Sequence, residues 1–137
     1  MKNKLCELHC HLTTNNPDIV CVTESWLNST IPDSVIISDT NYSIFRKDRF
    51  DNREGGGVCI LVNNATVKTV PVQIPLRFVS LELAAVDIIS CTSSFRLFVA
   101  YRPPCSSDYD PISFSYTTLL CEYIESLIPV NSTFVLW

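Results

Sequence analysis

The stretch Asp18-Ile19-Val20-Cys21-Val22-Thr23-Glu24-Ser25-Trp26 runs a short apolar, β-branched segment straight into a carboxylate followed by a large aromatic. Strand ends hold side chains on a rigid base at a sheet rim, and a carboxylate placed there can bind a divalent metal ion. Glu24 is the first candidate ligand on these grounds, although a strand-terminal Glu taken without context is more often structural.

Other reactive residue types fall into weaker patterns. Cys6, Glu7, His9, Cys10 and His11 crowd one segment, and thiolate with imidazole is the usual donor set for zinc. On a helix Cys6, His9 and Cys10 share a face, but His11 points elsewhere and no second Cys/His pair follows at zinc-finger spacing. His9 and His11 are the only histidines of the chain, which narrows the choice of general base in any hydrolysis. Gly55-Gly56-Gly57 lacks the flanking residues of a phosphate-binding loop and precedes a strand, so hairpin flexibility explains it better. No G-x-S-x-G elbow is present, and the spacing assembles no Cys/His dyad.

A chain of 137 residues with 47% hydrophobic and 18% charged residues fits one modest globular domain. Mean hydropathy is +0.21, yet no segment reaches the ~18 consecutive apolar residues of a membrane span. Lys2, Asn3 and Lys4 are followed by no apolar signal region, so the expected location is intracellular, cytoplasmic or nuclear, and not secreted. Seven cysteines, an odd number without an export signal, are expected as free thiols, with Cys21, Cys59 and Cys121 acting as small hydrophobes. The Asn-x-Ser/Thr matches at Asn28, Asn41, Asn64 and Asn131 are then chance. A net charge of -4 argues against a tight nonspecific grip on DNA. Arg46, Lys47, Arg49 and Arg53 are interleaved with Asp48, Asp51 and Glu54, which predicts a solvated loop.

The elements that must position Glu24 follow from periodicity. Leu5, Leu8 and Leu12 predict an amphipathic helix over 2–14, ended by Asn15-Asn16-Pro17. Ile19 to Thr23 predicts a strand buried on both faces, and 25–41 a long functional loop or lid. Strands are expected over 42–46 and 58–62, paired as a hairpin, and over 67–70, 79–86 and 95–101. Asp110-Pro111 supplies an N-cap and first-turn proline for a helix whose buried face carries Ile112, Tyr116, Leu119, Leu120, Tyr123 and Leu127. That helix stops before Pro129, and Thr133 to Trp137 reads as an unfinished strand. The order indicates a mixed α/β (α+β) layered protein without repeats or a linker.

Several ordered motifs resemble one family. They are Asn16 to Leu27, Tyr42-Ser43-Ile44-Phe45-Arg46-Lys47-Asp48-Arg49, Gly55-Gly56-Gly57-Val58 and Val99-Ala100-Tyr101-Arg102-Pro103-Pro104. Together they are similar to the endonuclease/exonuclease/phosphatase superfamily, in particular the apurinic-endonuclease-like domain that precedes the reverse transcriptase of non-LTR retrotransposons. The resemblance covers essentially the whole chain but only the leading part of the family domain. It implies a four-layer α/β sandwich, DNA as partner, and a catalytic Mg2+ held by a strand-terminal Glu, which Glu24 matches; Tyr101 matches the family's active-site tyrosine.

The family's first strand, its Gly-Asp-Phe-Asn motif and its late Asp-His pair find no match in these 137 residues. The expectation is therefore residues 1–137 as the N-terminal part of a single domain, truncated at both ends: a fragment of a Mg2+-dependent phosphodiesterase, inactive alone. An alternative from another class is a non-catalytic interaction module that self-associates through the open sheet edge at Thr133 to Trp137.

Overall fold

The computed structural model describes residues 4–38, 40–49, 55–102 and 111–127, with backbone alone over 111–114. The chain divides into two compact units, Met1–Ile74 with Glu82–Tyr101, and Pro75–Leu81 with Arg102–Trp137. The class is mixed α/β, with two small antiparallel sheets and three helices among the described residues.

In the first unit, helix α1 spans Leu5–Asn15 and ends where Asn16 turns left-handed (φ 45°), its N–H donating to the Leu12 carbonyl at 3.1 Å. Strand β1 (Ile19–Thr23), the one-turn helix α2 (Asp33–Ile36), β2 (Tyr42–Lys47) and β3 (Val58–Asn63) come next along the chain. They build a sheet of order β1-β3-β2, so β2 and β3 form the expected hairpin pair. A second sheet comprises β4 (Lys68–Pro71), β5 (Glu82–Ile89) and β6 (Ser94–Tyr101), with β5 central.

The strand buried on both faces is β3, not β1. Every residue of β3 is buried, whereas β1 lies at an edge of its sheet and exposes Cys21 and Thr23. An apolar run of five shows only that a strand forms there; its place in the sheet depends on distant pairing. The alternation along β3 then separates two cores. Val58, Ile60 and Val62 meet Ala84, Val86 and Ile88 of β5, so the two sheets pack face to face. Leu61 faces the other way, toward Leu12 of α1 and Tyr42, with Leu8, Val20 and Ile44 around them. The layers of this unit are thus helix, sheet and sheet. Each fully buried aliphatic side chain contributes about 1.5–3 kcal/mol through removal from water.

The described residues of the 25–41 segment are pinned to the rest of the unit. Leu27 and Ile36 are buried, the His9 ring nitrogen Nε2 lies 2.7 Å from the Ile36 carbonyl oxygen, and Arg46 donates to the Ile31 and Asn28 carbonyls at 2.9 and 3.2 Å.

In the second unit a 3-10 turn covers Leu76–Phe78, and turn hydrogen bonds continue to Leu81. These occupy the backbone that the alternation over 79–86 assigns to a strand, so β5 begins only at Glu82. Helix α3 runs Pro111–Leu127, with Tyr123 buried edge-on against the Phe78 ring at 5.2 Å and Tyr116, Leu119, Leu120 and Leu127 partly covered. Asp110, the Ile112 side chain and the segment Thr133 to Trp137 lie outside the described residues. Among those described, no helix is long and apolar enough to cross a membrane.

Candidate active site around the glycine run

The antiparallel register that pairs Thr23 with Val58 also sets the path of the backbone beyond Thr23. Ser25 donates to the Gly57 carbonyl at 3.0 Å and Trp26 to the Gly56 carbonyl at 2.9 Å, so Glu24 leaves β1 beside the glycine run. Glu24 and Trp26 both adopt left-handed backbone, φ 54° and 57°, on either side of the fully buried Ser25. Such geometry in residues bearing a Cβ costs of order 1–3 kcal/mol each and concentrates at functional sites.

The strained turn brings the Glu24 carboxylate to two donors. Gly56 N–H reaches Oε2 at 2.7 Å, and the Trp26 indole Nε1 reaches the same oxygen at 3.0 Å. Among the described residues the other oxygen, Oε1, receives no hydrogen bond, and it is not sealed from solvent. The half-buried carboxylate is therefore fixed through Oε2 by these two donors.

The next amide of the run serves a second acid. Gly57 N–H donates to Glu82 Oε2 at 2.6 Å, and Arg49 Nε holds Glu82 Oε1 at 2.6 Å. Both side chains are nearly enclosed, with 7% of Glu82 and 10% of Arg49 exposed. A Cβ on Gly56 would stand 2.4 Å from the Arg49 guanidinium, and φ is +71° there, so only glycine fits. Hairpin slack is thus the wrong account of Gly55-Gly56-Gly57: its amides and its missing side chains seat two carboxylates and an arginine.

Tyr101 joins the same cluster by register and by stacking. It pairs with Glu82 across β5 and β6, and the Arg49 guanidinium carbon lies 5.8 Å from its ring centroid. The residues singled out in the sequence, Glu24 and Tyr101, are linked through Gly56, Gly57, Glu82 and Arg49.

Two arginines expected in a solvated loop are internal. Arg46, 15% exposed, pairs with Asp33 and Asp48 at 3.1 and 3.0 Å. Burial pushes the Asp48 carboxyl above its ordinary range, against the pull of Arg46. Arg53 lies outside the described residues. Cys6, Cys10, Cys21, Cys59, Cys91 and Cys121 are free thiols; Cys59 is buried, whereas Cys21 and Cys121 are exposed.

Sequence reasoning missed Glu82 and Arg49. The signal for Glu82 was a lone acid in Leu81-Glu82-Leu83-Ala84-Ala85-Val86, a run apolar enough to be buried on both faces, where a charge needs a partner. Among the described residues no three His, Cys, Asp or Glu side chains cluster as a ready-made metal cage. The donor set still fits Mg2+, which takes one or two protein carboxylates and completes its shell with water and phosphate oxygen. Glu82 is spent on Arg49 and Gly57, which leaves Glu24 Oε1 as the oxygen to offer. No protein-family model matches the chain, and no curated protein matches it.

Proposed function

We propose that these residues form the leading part of a Mg2+-dependent phosphodiesterase domain, a DNA endonuclease of retrotransposon type within the endonuclease/exonuclease/phosphatase superfamily, and that they are inactive alone. The supporting observation is the half-engaged carboxylate of Glu24: Oε2 takes Gly56 N–H and the Trp26 indole, and Oε1 takes neither. The complete domain would be a four-layer α/β sandwich.

On this reading Glu24 is the residue that would hold Mg2+. When bound, the metal neutralises charge developing on a phosphodiester under attack by water. Trp26 and Gly56 N–H fix the carboxylate before substrate arrives. Tyr101, whose ring centroid lies 5.8 Å from the Arg49 guanidinium carbon, would offer its hydroxyl to the phosphate or to the metal-bound assembly. The general base, normally worth about 10²- to 10⁴-fold, comes from residues that these 137 do not supply.

Metal binding and plasmid nicking, measured on the same preparation, test the proposal. The expected result is weak Mg2+ or Mn2+ binding that Glu24→Gln removes, with no nicking of supercoiled DNA. Nicking that Glu24→Ala abolishes would overturn the inactive-alone part, and metal binding indifferent to Glu24 would overturn the whole reading. The interaction-module alternative rests on Thr133 to Trp137, outside the described residues, and no observation favours it.

A further inference from the structure

Glu82 is nearly enclosed, and it binds the peptide next to the one whose amide seats Glu24. The Gly56–Gly57 peptide presents its N–H to Glu82 Oε2 at 2.6 Å and its carbonyl to the Trp26 backbone amide at 2.9 Å. Trp26 in turn gives its indole N–H to Glu24 Oε2 at 3.0 Å, and Gly56 N–H closes the ring onto the same oxygen at 2.7 Å. Arg49 fixes the far side of Glu82 at 2.6 Å, and its guanidinium fills the space that a side chain on Gly56 would need.

We infer that Glu82 is a positioning residue: through the Gly56–Gly57 peptide and Trp26 it sets the orientation of the Glu24 carboxylate. The peptide plane is held at both ends by groups that cannot drift, one a nearly enclosed ion pair and the other the backbone of a strained turn. Two glycines with positive φ have no side chain to keep them in that plane, and the ion pair supplies what they lack. Outer-shell partners of a metal-binding carboxylate act in this way, by orienting the ligand rather than touching the metal. The inference rests on the proposed metal role of Glu24 for its functional meaning, but the positional link stands or falls separately.

The test compares the full chain with Glu82→Gln by ¹H–¹⁵N NMR and by Mn2+ titration. The Trp26 indole and Gly56 amide resonances should move in Glu82→Gln while the β3 amides hold their positions, and Mn2+ affinity should fall by about 10-fold or more. Indole and Gly56 resonances unchanged in a folded Glu82→Gln would overturn the inference. Shifted resonances in a chain whose wild type binds no Mn2+ would uphold the link and defeat the metal reading instead.

Should Glu82→Gln fail to fold, the double variant Arg49→Met, Glu82→Met removes both charges together and leaves no lone buried ion. The same resonances should shift there, and their persistence at wild-type positions would sink the inference.

Discussion

Glu24 and Glu82 are seated by consecutive amides of one glycine run, Gly56 N–H on the first at 2.7 Å and Gly57 N–H on the second at 2.6 Å. They differ in what remains. Glu82 has both oxygens engaged, by Gly57 and Arg49, whereas one oxygen of Glu24 has no hydrogen bond among the described residues. A carboxylate committed on both sides is structural, and a carboxylate committed on one side, at a strand end, is equipped to bind.

The glycine run makes the first prediction. Gly56→Ala places a methyl group 2.4 Å from the Arg49 guanidinium and forces a side chain onto φ +71°. The loss in unfolding free energy should be about 1–3 kcal/mol, from the backbone conformation alone or with the displaced ion pair. Urea denaturation reads it directly. A midpoint equal to wild type would contradict both the left-handed backbone at Gly56 and the close approach of Arg49.

Much of this fold was legible in the sequence, because helix and strand periods come from neighbours in the chain. Leu8 and Leu12 faced the core as their spacing required, and the hairpin over Tyr42–Lys47 and Val58–Asn63 formed as expected. The site was legible only in part. Glu24 followed from its strand, but Glu82 and Arg49 sit 33 positions apart and meet only because β5 packs against β3. Charged residues in a loop ordinarily read as solvated, and no local pattern announces that Arg49 will be nearly enclosed. The burial of β3 instead of β1 was hidden for the same reason, since edge and centre differ by pairing rather than by composition.

The thiols offer a second prediction. Burial pushes Cys59 up to about 12, and its side chain is inaccessible. Iodoacetamide at pH 8 should therefore modify Cys6, Cys10, Cys91 and Cys121 in the folded protein, Cys21 more slowly because burial raises its thiol too, and Cys59 only after denaturation. The fold favours the neutral thiol of Cys59, so this contribution to stability is intact below the unfolded value of about 8.5 and is lost as pH rises toward about 12. Mass spectrometry showing early alkylation of Cys59 would place that strand differently.

Acid should act through Asp87. Hydrogen bonds from Arg96, at 2.7 and 2.8 Å, hold its carboxyl below the ordinary range. A lowered folded value gives stability that is present above the unfolded value of about 3.9 and is lost as pH falls through the folded one. The pair is solvent-accessible, so its worth is small, about 0–1 kcal/mol. Side-chain ¹³C titration should show Asp87 moving upward in Arg96→Met; an unmoved Asp87 would contradict the pairing.

The most direct measurement is paramagnetic mapping of Mn2+ on the ¹⁵N-labelled chain. At substoichiometric Mn2+ the Gly56 amide and the Trp26 indole should broaden before any other resonance, and Glu24→Gln should leave both sharp. Broadening centred elsewhere, or identical broadening in Glu24→Gln, would contradict the assignment of Glu24 as the metal-binding carboxylate.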